Sequence, residues 1–423
     1  MTATSVTGLS PVRERLANGV TLLVKETRAQ PAVTIGATMS AGSLCDPSGA
    51  EGSAQLLSRL LDRGAGARTA NEVADLLDLR GASPAVSVTR HATTVTCDCL
   101  AEDVETVLEI VCDMLRAPVC PDVEIATRRS QLLTELRQDE DSPATRALEA
   151  AMTLLYGETH PYGRRPKGSA ATVEAIDRRQ LLDFHAAHFA PGRLTLVLVG
   201  DIDVSTAVAM VTRLCAEWAS RGTPSVSLPP PPTQTRQRLV ISMPGKSQAD
   251  VVYGFTTIPR SDPAFHAYWV MNNVLGQYGI GGRLGRNIRE RQGMAYYAGS
   301  IFDASHIAGP LLVRAGVSAD NVDRAIAAID AEVEELARDG VTDQELESSK
   351  RYLSGSIPRS LETNAGISRF LQTTEQFDLG LDYDRRLPGL IEAVTADAVT
   401  EAARRTLVTD RAAIVIAGPY EGS

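Results

Sequence analysis

A chain of 423 residues is long enough for two or three domains with real cores. Its net charge of -10 excludes phosphate-backbone binding as a main role, because that needs a basic face. No apolar run approaches bilayer-spanning length, so no membrane segment is expected. Met1 to Val6 carry neither the basic nor the apolar segment of a secretory signal.

The first informative element is Gly52-Ser53-Ala54-Gln55-Leu56-Leu57-Ser58-Arg59, which opens an apolar helical run. Gln55 and Arg59 are four apart and share one helix face. A zinc peptidase of the His-x-x-Glu-His type carries histidines at two such positions and a glutamate between them. Here those positions hold Gln55, Ser58 and Arg59. A guanidinium is a permanent cation with no lone pair to give, and serine cannot serve as the general base. No zinc is expected in this chain.

Next, Cys97 to Leu100 alternate as a strand and run into a helix with apolar residues at Val104, Val107, Leu108, Val111 and Leu115. The six cysteines are at 45, 97, 99, 112, 120 and 215. Cys97 and Cys99 point the same way, but their spacing is not that of a zinc knuckle and no second pair completes one. They read as buried small apolar side chains, and reduced thiols point to the cytoplasm. His185-Ala186-Ala187-His188 has metal-like spacing on a helix but no glutamate or cysteine nearby.

Residues 223–235 contain four prolines in a row, Pro229 to Pro232, which favour an extended spacer. They separate an expected N-terminal domain, 1–222, from a C-terminal domain, 236–423. The second half repeats the first. Leu311 to Val317 form a strand, and the following helix carries Val322, Ile326, Ile329, Val333 and Leu336. One offset of 218 residues takes Val104 to Val322, Leu108 to Ile326 and Gly200 to Gly418. Each half mixes alternating strands with amphipathic helices. The expected fold is therefore α+β, with two homologous domains, each a mostly antiparallel sheet with helices on one face.

Within the second half, Gly279-Ile280-Gly281-Gly282 is glycine-rich but lacks the Gly-Lys-Ser/Thr of a phosphate loop. Thr342 and Glu345 form a capping box opening a helix through Leu346 and Lys350, with its end expected at Gly355.

These pieces together resemble the insulinase/pitrilysin family, in particular the half-size subunits similar to mitochondrial processing peptidase. Arg15 to Val20 resembles the family's opening strand, and His160-Pro161-Tyr162-Gly163 with Gly168 its mid-domain loop. Phe189 to Arg193 with Val197 to Asp201 resembles the strand closing the first domain. The resemblance implies two domains facing each other across a chamber. It places Glu135 at the third zinc-ligand position, where it reads as a relic salt-bridged to Arg59. It also implies a role for Arg289 and, seven residues on, Tyr296. In the family such a pair holds the substrate backbone near the scissile bond, and Gly281 and Gly282 would contact substrate. Arg283, Arg286, Arg291 and Tyr297 compete for those roles, and the plainer reading of the pair is an exposed arginine and a packed tyrosine.

The expectation is a non-catalytic, substrate-binding subunit of a heterodimeric zinc endopeptidase. Its partner would be a zinc-bearing His-x-x-Glu-His half-size subunit and its ligand an extended peptide. The alternatives are a non-enzymatic scaffold subunit and a peptide-binding clamp of the same fold.

Overall fold

The computed structural model describes residues 8–278 and 281–422, apart from residues 221, 223, 225 and 227. One sheet contains β1 (Val12–Arg15), β2 (Thr21–Glu26), β3 (Ala32–Met39), β4 (Ala85–Val88), β5 (Thr93–Leu100) and β6 (Leu194–Gly200). Their spatial order is β1-β2-β6-β3-β5-β4. The other sheet contains β7 (Gln237–Ser242), β8 (Ala249–Thr256), β9 (Ala295–Phe302), β10 (Pro310–Val317) and β11 (Ala413–Gly418). Its order is β7-β11-β8-β10-β9.

Without β1 the two orders coincide. The pairing sense also coincides: β2 with β6 and β7 with β11 are parallel, and the other pairs are antiparallel. The protein is thus α+β, with two mixed, mostly antiparallel sheets. The duplication reaches single residues. Gly200 and Gly418 end equivalent strands with φ of +144° and +146°. A Cβ on Gly200 would lie 2.7 Å from the Cα of Val33, and one on Gly418 2.5 Å from the Cα of Ala249. Only glycine fits either place.

The two predicted helical stripes are buried. Helix Val104–Arg116 buries Val104, Val107, Leu108, Val111 and Leu115, and helix Val322–Asp339 buries Val322, Ile326, Ile329, Val333 and Leu336. Burying each such side chain contributes about 2 kcal/mol before entropy is counted. In the first sheet, Leu22, Val24, Ile35, Leu196 and Leu198 join the main core. Their neighbours Leu23, Val197 and Val199 point the other way, into a small core with Ile367 and Leu371. Helix Asn364–Gln376 therefore packs on the face opposite the main helical layer.

That helix comes from the other half of the sequence. The chain forms two compact units. The first ends its leading segment at Leu136 and adds Arg165–Ser227 and Pro358–Arg385; the second is Arg137–Arg164, Leu228–Ile357 and Arg386–Ser423. Helix Pro143–Tyr156 accordingly packs on β8 and β11 of the second sheet, as Asn364–Gln376 packs on β3 and β6 of the first. Each half lends one helix to the other's sheet. This differs from a cut into contiguous halves 1–222 and 236–423. All strands of a sheet come from one half, and the helices do not. Of the linker 223–235, residues 223, 225 and 227 lie outside the described residues, and 228–235 form neither helix nor strand.

Two local expectations are corrected. Arg15 to Val20 is mostly the turn between β1 and β2, in which Leu16 N–H donates to the Val20 carbonyl at 2.9 Å. The helix opened by Thr342 and Glu345 continues past Gly355 to Ser360, with Pro358 inside it. An interior glycine costs a helix only about 1 kcal/mol, and a proline in the last turn removes a single backbone bond.

Candidate functional site

The altered ligand positions lie in the first unit. Helix Ser53–Ser58 starts at Gly52, whose φ is +100°. The Asp46 carboxylate caps it, accepting the N–H groups of Gly52 and Ala54 at 2.8 Å each. The helix is shorter than the apolar run suggests, and Arg59 is its C-cap. Gly52 packs closely on the loop at Lys167, and Gly168 on the Glu51 carbonyl, which explains the glycine in the mid-domain loop.

Arg59 grips Glu135 with both Nη atoms, at 2.8 Å to each carboxylate oxygen. The Lys167 Nζ lies 3.9 Å from the same carboxylate. Hydrogen bonding from Arg59 holds Glu135 below the usual carboxylate range. Ser58 is buried, and its hydroxyl donates to the Gln55 carbonyl at 2.8 Å. This arrangement does not fit zinc. One ligand position is a cation, and both oxygens of the third position are taken by that cation. Among the described residues no group of three or more His, Cys, Asp or Glu could hold a metal ion. His185 is turned to the Leu115 carbonyl at 2.8 Å, and burial beside Arg193 lowers the pKa of His188. Cys97 and Cys99 are buried, and burial pushes their thiols up to about 11 and about 12.

Above Arg59 is a cavity of about 560 Å³, lined also by Gln55, Ser58, Asp62, Arg63, Arg128 and the strand β4. The motif reading did not find Arg63 or Arg128. They come from separate elements, and no spacing links them.

The second unit holds the Arg289 and Tyr296 pair. Helix Phe265–Asn272 runs on as the π-helical segment Asn273–Gln277, and a second π-helical segment spans Gly285–Arg291. Such wide turns recur at functional sites. Between them, Gly279 and Ile280 lie outside the described residues. Gly281 lines a cavity of about 350 Å³ with Asn273, Tyr278, Arg286 and Glu345. A Cβ on Gly282 would lie 2.9 Å from the Cα of Gly276, so this glycine permits a close backbone approach.

The neighbouring arginines separate clearly. Arg283 is only 8% exposed and forks onto Glu345 at 2.9 and 2.8 Å, with a further bond to the Gly340 carbonyl at 2.9 Å. Arg286 joins the same carboxylate at 3.1 Å. Burial pushes the Glu345 pKa up, but Arg283 and the cap at Thr342 together hold it down at about 2. Glu345 also closes the predicted capping box, accepting the Thr342 N–H at 3.0 Å while its own N–H donates to the Thr342 hydroxyl at 3.2 Å. Arg289, half-exposed, makes among the described residues only a 3.8 Å approach to its neighbour Glu290.

The two tyrosines separate as well. Tyr297 donates its hydroxyl to Asp250, and burial with that bond raises its pKa. Tyr296 is 84% exposed. Along β9 and β10, Tyr297 faces Gly316 and Ala295 faces Val317, so Tyr296 is the extra residue of a β-bulge. Bulges re-aim side chains at sheet edges, and β9 is an edge strand. The plainer reading had Tyr296 packed; here it is exposed, and its neighbour Tyr297 is the packed one.

Residues 21–161 match the family model for insulinase (peptidase family M16), and residues 175–353 match the one for the peptidase M16 inactive domain. The chain belongs to the M16 peptidase (insulinase) family. It is 26% identical over 415 residues to an uncharacterized zinc protease of Mycobacterium leprae, covering 96% of this chain and 92% of that protein. It is 24% identical over 423 residues to the probable mitochondrial-processing peptidase subunit beta of Arabidopsis thaliana, covering 96% and 78%. The crystal structure of a peptidase M16 inactive domain from Pseudomonas fluorescens superposes with a TM-score of 0.91 at 27% identity, covering 98% of this chain and 100% of that one. No helix among the described residues is long and apolar enough to cross a membrane.

Proposed function

We propose that this chain is the non-catalytic, substrate-binding subunit of a heterodimeric zinc metalloendopeptidase. A partner of the same half-size class, bearing His-x-x-Glu-His, supplies the zinc. This chain supplies Arg289 and Tyr296, which act on the peptide held by the partner. The guanidinium offers a fork of donors to peptide carbonyls, and the phenol stabilises the developing oxyanion. An extended substrate is held by strand addition at an open sheet edge.

One contrast carries the reading. The ligand positions are closed by the Arg59–Glu135 ion pair, while Tyr296 stands exposed on a bulge with no hydrogen bond to its hydroxyl among the described residues. A scaffold has no use for that exposed pair. Support also comes from a relative named as a processing-peptidase subunit and from relatives named zinc proteases.

The test is reconstitution with the zinc-bearing partner and measurement of peptide cleavage. Arg289→Ala and Tyr296→Phe should leave assembly intact and lower turnover about a hundredfold, the loss of one transition-state donor at about 3 kcal/mol. Unchanged rates with both variants would rule the reading out in favour of a scaffold.

A further inference from the structure

The turn into β11 borders a cavity of about 240 Å³ whose charge is not balanced. Thr233 and Gln234 wall it from the segment before β7, Phe255 and Thr256 from the end of β8, and Arg405 and Arg411 from the two sides of the turn. All belong to the second unit. The wall has two guanidinium groups and, among the described residues, no carboxylate. Neither arginine makes a salt bridge or a side-chain hydrogen bond among the described residues. Glu401 and Asp410, their nearest carboxylates in sequence, are exposed and pair with neither. The hydroxyls of Thr233 and Thr256 also carry no hydrogen bond among the described residues. Gln234 is fixed, its Nε2 donating to the carbonyls of Leu155 and Pro232, so this wall stands before any ligand arrives. Helix Ala396–Thr406 ends here with its negative pole, about half a charge. Its Ala403 and Thr406 carbonyls are taken by the N–H groups of Leu407 and Val408 at 2.7 and 2.9 Å. The two whole positive charges set the sign of the site.

The duplicated fold does not require this. The offset of 218 residues takes Arg193 to Arg411 and Ala187 to Arg405. Arg193 is spent on the chain: its Nη1 donates to the Ser40 carbonyl at 3.2 Å and its Nη2 to the Pro224 carbonyl at 2.6 Å. Position 187 carries no charge. The second unit has therefore released one guanidinium and added another at the same corner. Like charges lining one cavity repel, and an anion between them removes that cost. We propose that the cavity binds a phosphate group, either free orthophosphate or the terminal monoester of a small molecule. A phosphate monoester carries about -1.5 to -2 charge at pH 7 and three acceptor oxygens. That matches two guanidinium groups and two hydroxyl donors, whereas a carboxylate brings one charge and two oxygens. The bound group ties the segment before β7 to the end of β8 and the turn into β11, so occupancy stabilises the second unit. The inference is independent of the peptidase reading.

The test uses the whole chain with neither partner nor peptide. Calorimetry at constant ionic strength would titrate orthophosphate, glycerol 3-phosphate and acetate. At least one phosphate should bind with a Kd below about 1 mM, and acetate about tenfold or more weaker. At a hundred times its Kd the phosphate should raise the melting temperature by about 5 °C. Tighter binding of the ester identifies a phosphorylated small molecule as the occupant; equal or tighter binding of orthophosphate identifies the free ion. Affinity should rise between about pH 5.5 and 7.5 as the phosphate gains its second charge. Arg405→Gln/Arg411→Gln should weaken binding about tenfold or more, the size of one charge-assisted hydrogen bond. Arg405→Lys/Arg411→Lys, which keeps the charge, should lose less. Both arginines are exposed, so these variants should fold, and melts without ligand check it. Arg179→Gln, at a side chain 88% exposed in the first unit, should change nothing. Failure of both phosphates to bind, acetate binding as tightly as phosphate, an affinity that does not rise with pH, or a Kd unchanged in Arg405→Gln/Arg411→Gln would each overturn the proposal.

Discussion

The two sheets share one strand order and one pattern of pairing, yet their functional positions are opposites. In the first unit the side chains at the ligand positions are consumed by each other: Arg59 is forked onto Glu135, and Ser58 is buried on the helix backbone. In the second unit the scaffold arginine and tyrosine, Arg283 and Tyr297, take up the local carboxylates, Glu345 and Asp250. That leaves Arg289, six residues on from Arg283, and Tyr296, one residue before Tyr297, off those carboxylates and exposed. A duplicated framework tolerates this divergence because the shared core fixes the strands, while a bulge or a helix end decides which side chains are free.

The comparison breaks most sharply if the first unit can be turned back. Gln55→His/Ser58→Glu/Arg59→His, with Glu135 released, should gain one zinc at micromolar affinity or better. That is about 8 kcal/mol of binding, read by calorimetry against the unaltered chain. Absence of zinc uptake would mean that the helix end at Ser58 has carried position 59 out of ligand register.

A smaller effect separates the arginines. Arg283→Ala leaves Glu345 half-buried without its fork and should cost about 3 kcal/mol in denaturant unfolding. Because Glu345 is held at about 2, its contribution is complete above the ordinary carboxylate pKa and is lost as pH falls toward 2. In the variant this acid dependence should weaken. Arg289→Ala should leave stability within about 0.5 kcal/mol, as for a surface substitution.

The tyrosines give the next contrast. Tyr297→Phe removes a donor from Asp250, which is 2% exposed, and should cost about 2 kcal/mol. Tyr296→Phe should cost less than about 0.5 kcal/mol. Equal losses in thermal melts would show that Tyr296 is structural.

A smaller loss than at Arg283 or Tyr297 is expected at the ion pair in the first unit. Glu135 is 39% exposed, so Arg59→Ala should cost only about 1 kcal/mol at neutral pH. The Glu135 pKa is depressed, so the pair's contribution is present above the ordinary carboxylate pKa and lost as pH falls through the lower folded value. Wild type and variant should therefore converge in acid. A deficit that persists there would assign the loss to packing of the arginine stem.

Much of this was legible in the residues. Periodicity marked the helices at 104–115 and 322–336, because an apolar stripe has one way to be buried. The offset between Gly200 and Gly418 exposed the duplication, because a strand end pressed on a neighbouring backbone admits only glycine. Gln55 and Arg59, where a His-x-x-Glu-His peptidase has imidazoles, spoke against a zinc site there, because ligand chemistry is a property of side chains before any fold forms. Tertiary structure alone decided the rest. The exchange of helices Pro143–Tyr156 and Asn364–Gln376 depends on which apolar face meets which sheet, and an amphipathic stripe does not name its partner. The bulge that frees Tyr296 depends on the register against β10, which neither strand specifies by itself. The cavity brings Arg128 from a remote helix to Arg59 and Arg63 beside an edge strand, and no local spacing encodes that meeting.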